Sequence, residues 1–152
     1  MKRLLTYFVT FVLLSACTGR GQYAVMRNGL DSLNHLNRTD QPFTMSDVEP
    51  YVDFFDAHGT ANDRLLAHYL LGRAYYEHGE TPMALQCYHD ALDCADTTAT
   101  DCDYAQLSRV YAQMAEIFYY QGLYRQQLES GKQSAKYKKS RIYKRMRERI
   151  LS

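Results

Sequence analysis

Four cysteines, at positions 17, 87, 94 and 102, and five histidines are the side chains best suited to covalent or metal chemistry. Zinc would require cysteine, histidine or carboxylate ligands at short paired spacings. The histidines are scattered instead, with no His-Glu-x-x-His and no paired-cysteine spacing. Asp96, Asp101 and Asp103 bracket a polar stretch but lack the alternating ligands and the glycine of a calcium loop. Caps and turns are the roles expected of them. Cys87 and Cys94 lie two turns apart on an expected helix, ~10 Å by the rise per residue. A disulfide needs Cα atoms within ~7 Å, so that pair cannot bridge. A bridge from Cys94 to Cys102 stays open, as does the alternative that the three thiols pack as small apolar groups. No nucleophile elbow, phosphate-cradling glycine loop or dinucleotide motif occurs. These patterns predict no enzyme, cofactor or metal, and no small-molecule substrate.

The elements around these residues read as helices. From Leu65 to Asp96, two helical patterns meet at Gly79-Glu80. Leu66, Tyr69, Leu70, Ala74 and Tyr75 recur at the spacing of one apolar face, and Ala84, Tyr88, Ala91, Leu92 and Ala95 do the same. Gly79 suits a helix stop with positive φ, and Pro82 falls in the first turn of the second helix. Gly72, Ala84 and Ala91 are the small residues expected where the two helices cross. Upstream, Val25, Met26, Leu30, Leu33 and Leu36 make a stripe over residues 22–38, weakened by Asn28-Gly29. Ser46 and Glu49 have capping-box spacing for a helix that carries Val48, Val52, Phe54 and Phe55 and stops near Gly59. Asn62 or Asp63 is the expected cap of the helix through Leu65. Asp103 is the expected cap of a helix from Tyr104 to Gln121. Tyr124, Leu128 and Ala135 should continue the apolar pattern beyond Gly122.

The two termini differ in kind from this body. Lys2-Arg3 precedes an apolar run from Leu4 to Leu14, which ends in Leu14-Ser15-Ala16-Cys17 and turns abruptly polar. It is shorter than the ~20 residues of a comfortable span and reads as an export signal. At the other end, residues 136–149 hold eight basic side chains against Glu148 alone, a net +7. Without them and Lys2-Arg3 the chain is about −8, although the whole is +1. Ile142, Met146 and Ile150 align on one face of this basic helix. It can serve as a solvated cap on the last hairpin, or be drawn to anionic lipid or an acidic partner surface.

The hairpin resembles the tetratricopeptide repeat. Leu71-Gly72, the aromatic Tyr75, the turn glycine Gly79, then Ala84, Tyr88 and Ala91-Leu92 carry the likeness. Asp96 stands in place of the family's proline, so a looser exit is expected, and His68 replaces a bulky aromatic. A weaker copy has Met114-Ala115, Phe118 and Gly122, but Gln127 and Gly131 stand where small and aromatic residues are usual. Gly72 and Ala115 are 43 positions apart, against a period of about 34; the threonine-rich loop supplies the excess. The Leu-Ser-Ala-Cys ending is similar to a bacterial lipobox. That resemblance implies a signal at 1–16, lipid on Cys17 and a short linker at 17–21; a plain secretory signal is the alternative. The absence of aspartate after Cys17 implies the outer membrane, facing the periplasm.

The expected fold is therefore all-α, a short array of antiparallel hairpins over 22–137. It comprises a degenerate hairpin at 22–59, a clear repeat at 65–96 and a weaker one at 108–137, followed by the basic helix at 138–152. In this family the first helix of each pair lines the concave face. That implies a groove of Leu66, Tyr69, Arg73, Tyr76 and Glu77, continued by Arg109, Gln113, Glu116, Tyr119 and Tyr120. The family's carboxylate clamp, built on lysine and asparagine, is missing at Tyr69, Arg73, Ala112 and Glu116. The expected partner is thus a protein or peptide in the cell envelope, met without nucleic acid and alongside a membrane reached through the lipid anchor. A sensory ectodomain of a longer signalling architecture is the alternative, with an enzyme or carbohydrate-binding lipoprotein behind it.

Overall fold

The computed structural model describes the backbone of residues 2–151 and the side chains of residues 20–151. The expected signal at 1–16 and the Cys17 thiol lie outside the described side chains. Among the described residues there are six helices and no strand: α1 (Lys2–Arg38), α2 (Met45–His58), α3 (Ala61–Glu77), α4 (Thr81–Asp93), α5 (Tyr104–Tyr120) and α6 (Tyr124–Leu151). Most connections are two to six residues, which makes chain neighbours antiparallel. The pairs α3–α4 and α5–α6 make the largest interfaces, and α3 also touches α1, α2 and α5. No helix among the described residues is long and apolar enough to cross a membrane.

The two main hairpins turn by the same hydrogen bonds. Gly79 and Gly122 have φ of +81° and +71°. Glu80 N–H donates to the Tyr75 carbonyl (2.9 Å) and Gly79 N–H to that of Tyr76 (3.0 Å). Forty-three residues on, Leu123 N–H donates to Phe118 (2.8 Å) and Gly122 N–H to Tyr119 (3.0 Å). This is the Schellman closure, which satisfies carbonyls that a helix end leaves open.

Inside the hairpins, however, the crossings differ. A Cβ on Gly72 would lie 2.5 Å from Tyr88 Cε1 and 3.2 Å from the Ala84 carbonyl. Tyr88 is fully buried there, and its hydroxyl has no partner. In α5–α6 the contact is polar: Ser108 and Ser134 hydroxyls donate to each other's backbone carbonyls, at 3.0 and 2.8 Å. Ser130 is the buried residue of α6. This corrects the expected apolar continuation, because Tyr124 (69 %) and Leu128 (60 %) are exposed and Ala135 is too. The serine pair sets the rotation of α6, and that rotation turns those three residues outward. The basic segment is no separate element but the same helix continued.

The caps are also corrected. Both α2 and α3 begin two or three residues before the expected caps. Thr44, not Ser46, starts α2: the Asp47 carboxylate accepts from the Thr44 N–H and hydroxyl, each at 2.8 Å. Both threonine–aspartate pairs share the three-residue spacing of Ser46 and Glu49, so spacing alone could not rank them. Thr60 caps α3, with Asp63 accepting from its N–H (2.9 Å) and hydroxyl (2.7 Å). Asn62 instead holds the α4–α5 loop. Its amide donates to the Asp101 carbonyl and accepts from Asp103 N–H, both at 3.0 Å. Asp103 caps α5 as expected, accepting from Gln106 N–H at 2.9 Å. The exit at Asp96 is closed rather than loose, since its carboxylate accepts from Thr98 N–H (2.9 Å) and Ala99 N–H (3.2 Å).

Asp63 is 3 % exposed and gathers more than its cap. The Tyr23 hydroxyl and the Arg27 guanidinium of α1 both donate to it. Burial pushes its carboxyl up, but the hydrogen bonds from Tyr23, Thr60 and Arg27 outweigh that and hold it below the usual carboxylate range. Along α1, Leu30 and Leu33 are buried while Val25 is 69 % exposed, so Tyr23 takes the place expected of Val25. Gly29 serves packing, since a Cβ there would collide with the Tyr51 ring of α2.

Two predictions follow from this packing. Gly72→Ala should lower stability by about 1–3 kcal/mol in urea unfolding, because Tyr88 has nowhere to retreat. Gly131→Ala, with nothing within 4 Å of its Cβ, should raise it by about 0.5–1 kcal/mol; equal effects at both sites would contradict the crossing. For Asp63, a folded pKa below the unfolded value means stability that is complete above pH ~4 and is lost as pH falls through the folded value. Asp63→Ala should cost about 2–3 kcal/mol at neutral pH and flatten the acid limb of the stability curve. Asp47 and Asp96, also held low by hydrogen bonds, should leave a smaller slope in the same direction.

Candidate functional site

The expected groove residues divide into a buried pair, a lone half-buried arginine and seven others. Leu66 and Tyr69 are 6 % and 4 % exposed, and Tyr69 packs on Tyr88 with ring centroids 6.0 Å apart. They belong to the core, which corrects their place on a partner face. The same residues satisfy an apolar stripe and an inward family position, and here the stripe prevails. Arg109 is half-buried, and its Nη1 has no hydrogen-bond partner. The remaining seven converge on one side of α3 and α5.

Arg73 is the centre of that group. Its guanidinium donates to Asn37 Oδ1 of α1 (3.1 Å), to Gln113 of α5 and to Glu77 Oε1 (2.5 Å). Its carbon lies 5.9 Å from the centre of the Tyr76 ring. One fork thus ties the first, third and fifth helices together on a shared face. An arginine suits this because its planar donors satisfy several acceptors at once. Gln113 passes the chain on to Glu116 at 3.4 Å. Burial and then the neighbouring Glu116 carboxylate raise the Tyr76 hydroxyl above its ordinary pKa. Beyond it, Tyr119 and Tyr120 are 55 % and 73 % exposed, with rings edge to face at 5.4 Å. Leu123, Tyr124 and Leu128 extend this exposed apolar surface around the α5–α6 turn.

Beside Arg73 and Glu77 lies a cleft of about 350 Å³, closed on its other side by Asn37, Asp40, Gln41, Pro42, Phe43 and His78. Residues 39–44 connect α1 to α2. The one available signal was Pro42 itself, which stiffens the loop. Asp40, at φ +51°, turns the chain back over the cleft.

Another cluster was invisible in the sequence because it joins three helices. Asp56, His68 and Cys94 bring one donor atom each within 4.8 Å of one another. His68 Nε2 lies 2.9 Å from Asp56 Oδ1. Burial first, then Asp56, raises the Cys94 thiol, while the Arg64 guanidinium beside it acts the other way. That fixed cation opposes a metal ion, and the group is read as a histidine–aspartate pair beside a half-buried thiol. Cys87, Cys94 and Cys102 are all free, so the Cys94–Cys102 bridge left open by the sequence is not made.

No family model matches the chain, and neither a curated protein nor a solved structure matches it.

The division of the groove is measurable. Tyr69→Ala should cost about 3–5 kcal/mol, as for other buried aromatics, whereas Tyr120→Ala should change stability by no more than about 0.5 kcal/mol. Comparable losses in the two variants would put Tyr120 in the core.

Proposed function

We propose that the chain is a lipid-anchored scaffold of the tetratricopeptide-repeat type that binds a protein or peptide partner in the bacterial cell envelope. The observation that carries this reading is the Arg73 bridge, which aligns α1, α3 and α5 along one face. Two hairpins with the same turn hydrogen bonds, 43 residues apart, support the repeat assignment. The lipobox-like Leu14-Ser15-Ala16-Cys17 supports the anchor.

The face has the composition of a protein-contact site. Tyr76, Tyr119 and Tyr120 supply stiff amphipathic area, and Arg73, Glu77 and Glu116 supply charges of both signs. Tyrosine and arginine commonly dominate such surfaces. Arg73 is largely engaged with its own neighbours, so it positions the face while the exposed tyrosines meet the partner.

Photo-crosslinking tests this directly. A crosslinker at Tyr120 should trap a discrete envelope protein, and one at Met83 on α4, itself 45 % exposed, should not. Arg73→Met should weaken the Tyr120 adduct while leaving the circular dichroism helical. Identical adducts from both positions would overturn the assigned face. Cys17→Ser should release the chain from the membrane fraction or leave it unprocessed, and a membrane-bound, processed serine variant would refute the anchor.

A further inference from the structure

The basic segment of α6 outruns the body it packs on. Tyr137 stacks on Tyr104 and Tyr111, at 6.1 and 5.7 Å. Lys144 Nζ reaches the Cys102 carbonyl at 3.3 Å and lies 6.0 Å from the centre of the Tyr104 ring. Tyr104 opens α5, so the residues after Lys144 continue past the start of their partner helix. The half-buried residues of this stretch are Tyr137, Ser140, Arg141 and Lys144, spaced three and four apart as one helix face. On the opposite face stand Lys139, Ile142, Met146 and Ile150, the last three 48 %, 54 % and 80 % exposed. Glu148, the segment's carboxylate, lines an inner cleft with Arg141 and Lys144 instead. The outward face is therefore aliphatic and basic together.

The position of this face in the fold says what it meets. Odd helices start, and even helices finish, at one end of an antiparallel array, so α6 ends where α1 enters. Arg27 of α1 and Arg145 of α6 accordingly line the same cleft, of about 490 Å³. Upstream of Arg27, α1 leads back toward the apolar run of residues 4–14. A membrane holding lipid on Cys17, on that same stretch of α1, would lie at the end where the α6 tip projects.

We infer that the outward face of residues 138–151 docks on an anionic lipid surface. Ile142, Met146 and Ile150 would sit at the headgroup boundary, with Lys138 and Lys139 among the phosphates. Amphipathic helices bind in that manner, lying in the interface plane. An acidic protein would satisfy the charge, but a convex single-helix face with exposed aliphatics and no groove suits lipid better. The inference rests on the envelope reading for which membrane is met, while the geometry is that of α6 itself.

Hydrogen exchange on the full chain with vesicles separates the cases. Lipid on Cys17 should hold the processed chain on vesicles of any composition, so cosedimentation reports the anchor and α6 exchange reports docking. With about 30 % phosphatidylglycerol, amides of residues 142–151 should exchange about tenfold more slowly than on pure phosphatidylcholine. That difference should vanish at about 1 M salt, where screening acts over ~3 Å. A Lys138→Glu, Lys139→Glu variant should lose it while remaining on the vesicles with unchanged exchange in α3. Equal protection on both lipids, or none on either, would overturn docking even if cosedimentation persists. Protection by soluble polyglutamate but not by anionic vesicles would overturn it in favour of an acidic protein. Loss of cosedimentation with α6 protection intact would count against the anchor alone.

Discussion

The Asp63 carboxylate is the point on which the rest of the chain's order depends. It is buried at the first turn of α3, where the helix leaves its N–H groups open and favours negative charge. Burial alone would raise its pKa, yet the Thr60 cap and the Tyr23 and Arg27 donors reverse that direction. The same donors fix α1 against α3, because neither Tyr23 nor Arg27 can keep this contact if α1 slides by a turn. One residue earlier, Asn62 fastens the α4–α5 loop and thereby sets where Asp103 begins α5. A single turn of α3 thus determines the placement of α1, α5 and, through α5, the rotation of α6.

The hairpins show two solutions to close approach. At Gly72 the absence of a side chain admits the whole Tyr88 ring, whose hydroxyl is left without a partner. The cost of that orphan is offset by burying a large aromatic surface. At Ser108 and Ser134 the approach is made by hydroxyls that donate across the interface, so little apolar area is needed. The second solution frees the outer face of α6 from packing, and that face carries the exposed tyrosine, aliphatics and lysines. The two hairpins are alike in their turns and unlike in their cores.

The all-helical class, both turn glycines, the Asp103 cap and the Gly72 crossing were legible from the sequence pattern. The turns and the cap depend on residues within a turn or two of one another, and the crossing on small residues a hairpin apart. The misplaced caps show the limit of that reasoning: Ser46 and Glu49 match Thr44 and Asp47 in spacing, and only the three-dimensional entry of the chain separates them. Tyr124, Leu128 and Ala135 were misread because periodicity identifies a stripe without saying which way the helix is rotated. The Arg73 bridge to Asn37 and Gln113 spans 36 and 40 residues, beyond any local signal. Family position placed Arg73 and Tyr76 on the shared face but also placed Tyr69 there, which burial refutes.

The two surfaces with proposed roles lie at opposite ends of the helices. Glu77, Tyr119 and Tyr120 close the C-terminal ends of α3 and α5, while Arg27, Asp63 and Asp103 mark the end where odd helices begin. A helix of 17 residues spans about 25 Å, which is several Debye lengths at physiological salt. The basic α6 tip therefore exerts little field on the tyrosine face. A partner on the tyrosines and a lipid surface on the α6 tip would therefore not compete for the same residues. The chain outside the basic segment and Lys2-Arg3 carries about −8, so an anionic surface would repel the body while attracting the tip. Asp63, Asp101 and Asp103 line a cleft with Arg145 at that same end, so the attraction is confined to the part of α6 that projects beyond them.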